Sequence, residues 1–197
     1  MNKLKVSDVT QKWVDALIPF TSNYSAKKTA TELSKLSGIS QQTLSRIMNF
    51  LSKLNLIDYS HEGKNKLFYL GKDKLSTGSL LVILEEVKAI NFNINFPRES
   101  LIIKKLLDYC EGIILFGSYA SGNFKKDSDL DLVLIGKCDM KKIAEIIKSS
   151  PLEIHEQIVS YSEFQKNVKD KTAISKEILN NHILFGDVNR MVNILKW

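Results

Sequence analysis

The stretch from Gly112 to Ile135 constrains this chain more than any other. Gly112-Ile113-Ile114-Leu115-Phe116 is a short apolar run between glycines and reads as a buried strand. Gly117-Ser118 follows at once, and Tyr119-Ala120-Ser121-Gly122 leaves room for a turn or so of helix. After a polar loop at 123–128, Asp129-Leu130-Asp131-Leu132-Val133-Leu134-Ile135 reads as a second strand. Alternation puts Asp129 and Asp131 on one face, with Leu130, Leu132 and Leu134 on the other.

These residue types suit phosphate and a hard cation. Glycine lets a backbone approach an anion closely. The N–H groups at a helix start favour negative charge, and a serine hydroxyl adds a hydrogen bond. Two carboxylates two residues apart on a strand can grip Mg²⁺, which is typically held by a few carboxylates plus substrate phosphates. Rival readings fail on spacing. An EF-hand starting at Asp127 needs Gly at 132 and Glu at 138, where the chain has Leu132 and Cys138. A P-loop needs Gly-Lys-Ser/Thr, which does not occur. A Gly-Ser turn alone, or Asp-x-Asp alone, is commonplace; the combination is not.

That combination resembles the minimal nucleotidyltransferases of the DNA polymerase β superfamily. Their pattern appears here as Gly117, Ser118, Gly122, Ser128, Asp129, Asp131 and Leu132. Ser121 departs from it, since many members carry Arg before the glycine. The resemblance spans 97–197 and implies an α/β domain with a mixed sheet. It implies that Gly117, Ser118 and Ser128 bind an NTP, with ATP the expected donor, while Asp129 and Asp131 ligate Mg²⁺. It also implies a third acidic residue on a later strand. After a helix at 140–148 and the break Ser149-Ser150-Pro151, that strand falls at 152–160. Alternation groups Glu153 with His155, and Glu156 with Ile154 and Ile158. Counting back from the strand exit puts His155 near the carboxylate position. Glu153 is the favoured catalytic carboxylate and Glu156 is next; replacement by His155, or a weakened site, are the remaining readings.

The first third reads differently. Residues 5–20 carry Val6, Val9, Trp13, Val14, Leu17 and Ile18 at helical spacing. Residues 29–37 make a second helix, stopped by Gly38. Ser40 is an N-cap for a third, with Leu44, Ile47, Met48, Leu51 and Leu54 inward. Strands at 56–60 and 66–70 flank a turn at 61–65. This order resembles the winged helix-turn-helix family, making the whole chain α+β. The resemblance implies a recognition helix with Gln41, Gln42, Thr43, Ser45, Arg46 and Asn49 outward, types that bond base edges and phosphates. It puts Lys64 and Lys66 on the wing. Charge agrees: residues 1–72 hold 11 Lys+Arg against 5 Asp+Glu, whereas 73–197 hold 17 of each. A basic module beside a neutral one points to a polyanion.

The expected organisation is thus a winged helix at 1–72, a helical linker at 73–96 and a nucleotidyltransferase domain at 97–197. The linker helix is expected to start near Ser79, and 91–97 to break it. Helices at 164–168, 174–181 and 187–195 and a strand at 182–186 complete the chain, with His182 structural. No apolar run nears the ~20 residues of a membrane span. Cys110 and Cys138 form no metal or disulfide pattern, which fits reduced thiols in a cytoplasmic protein. The small size favours a macromolecular acceptor, and the resemblance includes antitoxins that adenylylate a partner toxin. A homodimer is compatible with the sequence. The alternative is a DNA-binding transcriptional regulator whose transferase fold senses nucleotide with weak or no catalysis.

Overall fold

The computed structural model describes residues 11–71 and 74–196. It is a mixed α+β chain with two separate sheets, one antiparallel and one mixed. Two compact units divide between Leu84 and Glu85. Among the described residues, no helix is long and apolar enough to cross a membrane. The expected helix at 5–20 is seen from Gln11, and its start lies outside the described residues.

In the first unit, α1 (Gln11–Leu17) runs into a 3₁₀ turn at Ile18–Phe20. Helix α2 (Ala30–Ser37) is capped by Thr29, whose hydroxyl accepts from Glu32 N–H while Glu32 accepts from Thr29 N–H. Gly38 ends it at φ +70°, a left-handed conformation that glycine adopts without strain. Helix α3 (Gln41–Lys53) starts at Ser40 as expected and buries Leu44, Met48 and Leu51.

The hairpin is displaced from the expectation. Strands β2 (Asp58–Glu62) and β3 (Asn65–Tyr69) close on a two-residue turn, Gly63-Lys64, because Glu62 pairs directly with Asn65 and Gly63 supplies φ +59°. A two-residue strand β1 (Lys28–Thr29), not expected, pairs with β3 to give the order β1-β3-β2. Leu17, Phe20, Leu33, Leu44, Met48, Leu51, Ile57 and Phe68 form a dry interior.

Helix α4 (Leu75–Asn95) is longer than expected at both ends. The expected break at 91–97 is narrower than the stretch: α4 runs on to Asn95 and only Phe96 separates it from the next helix. Phe92 and Phe96, four residues apart, stack at 4.9 Å on the α4–α5 corner, and the intervening asparagines face outward. Pro97 then occupies the first turn of α5 (Pro97–Leu107), where its missing N–H costs nothing. The buried Glu85 of α4 meets His182 Nε2 at 3.2 Å and Lys88 Nζ at 2.8 Å, while His182 Nδ1 lies 2.6 Å from the Ile178 carbonyl. His182 is therefore built into the interior.

The second sheet has the order β6-β5-β4-β7. Strand β4 (Gly112–Phe116) is central and pairs antiparallel with β5 (Leu130–Ile135) and β7 (Ile183–Gly186). Strand β6 (Ile154–Val159) joins β5 in parallel through the crossover helix α7 (Met140–Lys148). Leu130, Leu132, Leu134, Ile113 and Leu115 share a core with Ile102, Ile103 and Leu106 of α5 and Ile143 of α7. The opposite face carries Asp131 and Val133 on β5 and His155 and Gln157 on β6. Helices α8 (Tyr161–Lys169) and α9 (Ala173–Asn180) lie over part of it, and α10 (Val188–Leu195) ends the chain. Ser160 and Glu163 form a capping box that starts α8 three residues earlier than expected. Cys110 and Cys138 are half-buried free thiols, and burial pushes the Cys110 thiol up to about 12.

Candidate active site

Strand β4 ends at Phe116 and the chain turns at once into α6 (Gly117–Ser121). Gly117 has φ +67°, and a Cβ there would overlap the Asp131 carboxylate. Glycine is thus needed twice over: for the left-handed backbone, and for the approach of α6 to β5. Tyr119 is the anchor of this short helix. Its ring stacks on Phe124 at 5.5 Å, meets Phe96 edge-on at 5.4 Å, and its hydroxyl donates to Glu99 at 3.3 Å. The sequence reading passed over Tyr119 and Phe124; a pair of aromatics flanking the Gly122 loop was the available signal.

Ser118 is half-buried, and its carbonyl accepts from Asn123 N–H at 3.0 Å. The Ser121 hydroxyl donates back to the same carbonyl at 3.2 Å. Ser121 therefore tightens the turn. Ser128 does similar work: its hydroxyl oxygen accepts from Lys125 N–H at 2.7 Å, closing the 125–128 turn that delivers Asp129.

Asp131 stands in a cross-sheet row with Phe116 of β4 and His155 of β6. Asp129 lies one residue before β5, where Leu130 N–H donates to the Glu153 carbonyl at 2.9 Å and extends the pairing. His155 is the hub of the side chains. Its Nδ1 is 3.5 Å from Asp131 Oδ1 and 3.9 Å from Asp129 Oδ2, and its Nε2 is 3.5 Å from Glu153 Oε1. One ligand atom from each of Asp129, Glu153 and His155 lies within 4.8 Å of the others.

The three third-acid candidates now separate. His155 holds the register position opposite Asp131. Glu153 sits just before β6, more exposed, and approaches from the far side of the imidazole. Glu156 pairs with Leu132, so alternation turns it to the opposite face from Asp131.

The polar positions of the first unit are also placed. On α3, Gln41, Gln42, Arg46 and Asn49 are exposed, while Thr43 and Ser45 are half-buried. Thr43 shares a hydrogen bond with the Ser40 hydroxyl at 2.9 Å. Lys64 projects from the hairpin turn, exposed. Lys66 does not: its ammonium donates to Asn49 at 2.6 Å and lies 3.8 Å above the Tyr59 ring, tying the hairpin to α3.

Comparison with known proteins gives one family. Residues 100–185 match the family model described as "Nucleotidyltransferase domain". The matched span contains Gly117, Ser118, Ser128, Asp129, Asp131, Glu153 and His155. Among solved structures, Bordetella bronchiseptica BpsR, whose DNA binding is regulated by 6-hydroxynicotinic acid, is similar at 20% identity and a TM-score of 0.37. That likeness covers 53% of this chain and 81% of BpsR, and at that score it carries no argument. No curated protein matches the chain.

Proposed function

We propose that this chain transfers a nucleoside monophosphate from an NTP, with ATP the expected donor, to a hydroxyl acceptor. The observation that carries the reading is the row across the sheet: Gly117 after β4, Asp131 on β5 and His155 on β6, with Asp129 and Glu153 alongside. The Gly117 and Ser118 backbone, with the Ser118 and Ser128 hydroxyls, holds the triphosphate. The donor set fits a divalent cation: carboxylate oxygens of Asp129 and Asp131 both approach His155 Nδ1, at 3.9 and 3.5 Å, and so share a face. When bound, Mg²⁺ neutralises charge on the phosphates and on the departing pyrophosphate. In this reading Asp129 and Asp131 orient that site, while Glu153 and His155 take the acceptor's proton.

The direct test is incubation with Mg²⁺ and each labelled NTP against candidate acceptors. Asp129→Asn with Asp131→Asn is expected to lower product at least a hundredfold. Labelled product at wild-type levels from that variant would overturn the assignment. The acceptor is proposed to be a protein, such as a partner toxin, and mass spectrometry of co-purified proteins after NTP incubation reads it out.

Residues 1–72 are proposed as a winged helix that binds DNA through α3, using Gln41, Gln42, Thr43, Ser45 and Arg46, and through Lys64 on the hairpin. The exposed polar face of α3 and the positive charge excess support this. Affinity that hardly changes across a salt series would argue against phosphate contacts by Arg46 and Lys64.

One observation favours a second reading. An imidazole stands opposite Asp131, where the resemblance implies a carboxylate. In that reading the chain is a DNA-binding regulator that senses nucleotide without turnover. It predicts Mg²⁺-dependent nucleotide binding and no product with any acceptor.

A further inference from the structure

A cavity of about 310 Å³ opens on the same sheet face as Asp131 and His155. It lies between β5–β6 and the α8–α9 pair. Val133 and Gln157 on its sheet side are each two residues along their strand from Asp131 and His155. On one face of a strand that step is roughly 6–7 Å. Phe164 and Ile178 add to an apolar floor, and the amides of Gln157 and Asn167 stand at its edges. Neither side-chain amide has a hydrogen-bond partner among the described residues. The far wall is held firmly: the Ser175 hydroxyl donates to the Asn167 carbonyl at 2.8 Å, joining α9 to α8. No Asp, Glu, Lys, Arg or His is among the described residues that line the cavity.

We infer that this cavity seats the hydroxyl-bearing part of the acceptor, and that this part is an uncharged, ring-sized group. The inference rests on the transferase reading above. Three observations lead to it. First, the lining offers no charged side chain to pair with phosphate, carboxylate or ammonium, while its apolar floor favours an uncharged group. The triphosphate and a cationic acceptor are both poor occupants. Second, the volume is at the low end of small-molecule sites, enough for one ring system or one side chain. Third, direction decides between donor and acceptor. Nucleotidyl transfer is an in-line displacement, with attacking and leaving oxygens on opposite sides of phosphorus. The phosphate cradle at Gly117–Ser118 lies on the β4 side of Asp131, so the leaving pyrophosphate lies there. Attack then comes from the β6 side, where Gln157 borders the cavity.

The step balances. The acceptor oxygen bonds to the α-phosphorus as the bond from that phosphorus to the bridging β-phosphate oxygen breaks. Pyrophosphate carries away that electron pair, and the hydroxyl proton leaves toward His155 and Glu153. Gln157 and Asn167 act as positioning residues, holding the ring so that its hydroxyl reaches the Asp131–His155 row.

The test uses the full chain, amide-resolved NMR and benzyl alcohol as the neutral hydroxylated probe. Benzoate and benzylammonium are charged controls, and adenosine probes for a nucleobase. Benzyl alcohol is expected to shift Gln157, Asn167 and Thr172 amides, at least tenfold more than either charged control at equal concentration. Ala173→Trp, an exposed position on the rim, is expected to abolish those shifts and to leave Mg·ATP affinity within twofold. Gln157→Leu, which keeps the fold if Ala173→Trp does not, is expected to weaken benzyl alcohol at least fivefold. Absent shifts, or equal shifts from charged probes, overturn the inference. So does a tenfold loss of Mg·ATP affinity together with loss of adenosine shifts in Ala173→Trp, since the cavity would then hold the base. Failure of Mg·ATP to bind the wild-type chain instead sinks the transferase reading, while the benzyl alcohol result still reports on the cavity.

Discussion

At the site Gly117 and the Asp131 carboxylate compete for one space, and Gly117→Ala tests this. Two costs fall on the variant. A residue with a Cβ pays ~1–2 kcal/mol to hold the left-handed conformation found at φ +67°. The methyl also meets the Asp131 carboxylate, so Asp131 must leave its rotamer or β5 must shift. Overpacking of this kind costs about 1–3 kcal/mol. The expected total is about 2–5 kcal/mol. Asp131→Ala removes the carboxylate, leaves its Cβ 3.2 Å from the added methyl, and should leave mainly the first part, ~1–2 kcal/mol. The coupling between the two positions is therefore expected at about 1–3 kcal/mol, well above the scatter for independent sites. Native-state hydrogen exchange at the Ile114 and Leu115 amides of β4 reads it locally. A loss of about 2 kcal/mol speeds exchange roughly thirtyfold. Equal costs of Gly117→Ala in both backgrounds would refute the reasoning, because the carboxylate would then not be what excludes the methyl.

Four further outcomes follow from the geometry. Leu132→Ala, fully buried in the core shared with α5 and α7, is expected to cost about 2–5 kcal/mol in denaturant unfolding of the second unit, with the Asp131 face intact. Burial would raise the Glu85 carboxyl, but His182 and Lys88 beside it overcome burial and hold it down to about 2. A depressed carboxyl adds stability above its unfolded pKa, so the chain should lose stability as pH falls from about 4.5 toward 2. Glu85→Gln, less stable at neutral pH, should show a flatter profile across that window in denaturant midpoints. Lys66→Met should loosen the hairpin by about 0.5–1 kcal/mol through loss of the Tyr59 contact, seen as faster exchange at β2 and β3. Under the proposed DNA-binding role of residues 1–72, Lys64→Gln should leave stability alone and lower the salt slope of DNA affinity by about 1.

What the sequence could and could not reveal divides by the range of the signal. Period-2 alternation at 130–135 placed Asp131 and the leucines on opposite faces, and the sheet keeps them there, because the leucines must meet α5 and α7. Helix α7 was legible at both ends, since Asp139 caps it and the break at 149–151 follows. The stretch 91–97 does contain the end of α4, but its helical part was hidden because asparagines and a proline are usual loop residues. The deciding contact is Phe92 and Phe96 against Tyr119, more than twenty residues away. Strand β1 is two residues long and has no period to detect. Counting back from the strand exit points to His155, but one strand cannot disclose its register by itself. The pairing of β6 with β5 sets His155 opposite Asp131, leaves Glu153 at the threshold and keeps Glu156 on the other face. The same limit applies with more force to the cavity. Its lining comes from β5, β6, α8 and α9, so no local window contains it, and the absence of charge among residues from 133 to 178 has meaning only once they face one space. A motif of a few residues is therefore legible in a local window, while a cavity lined from four elements exists only in the long-range packing around it.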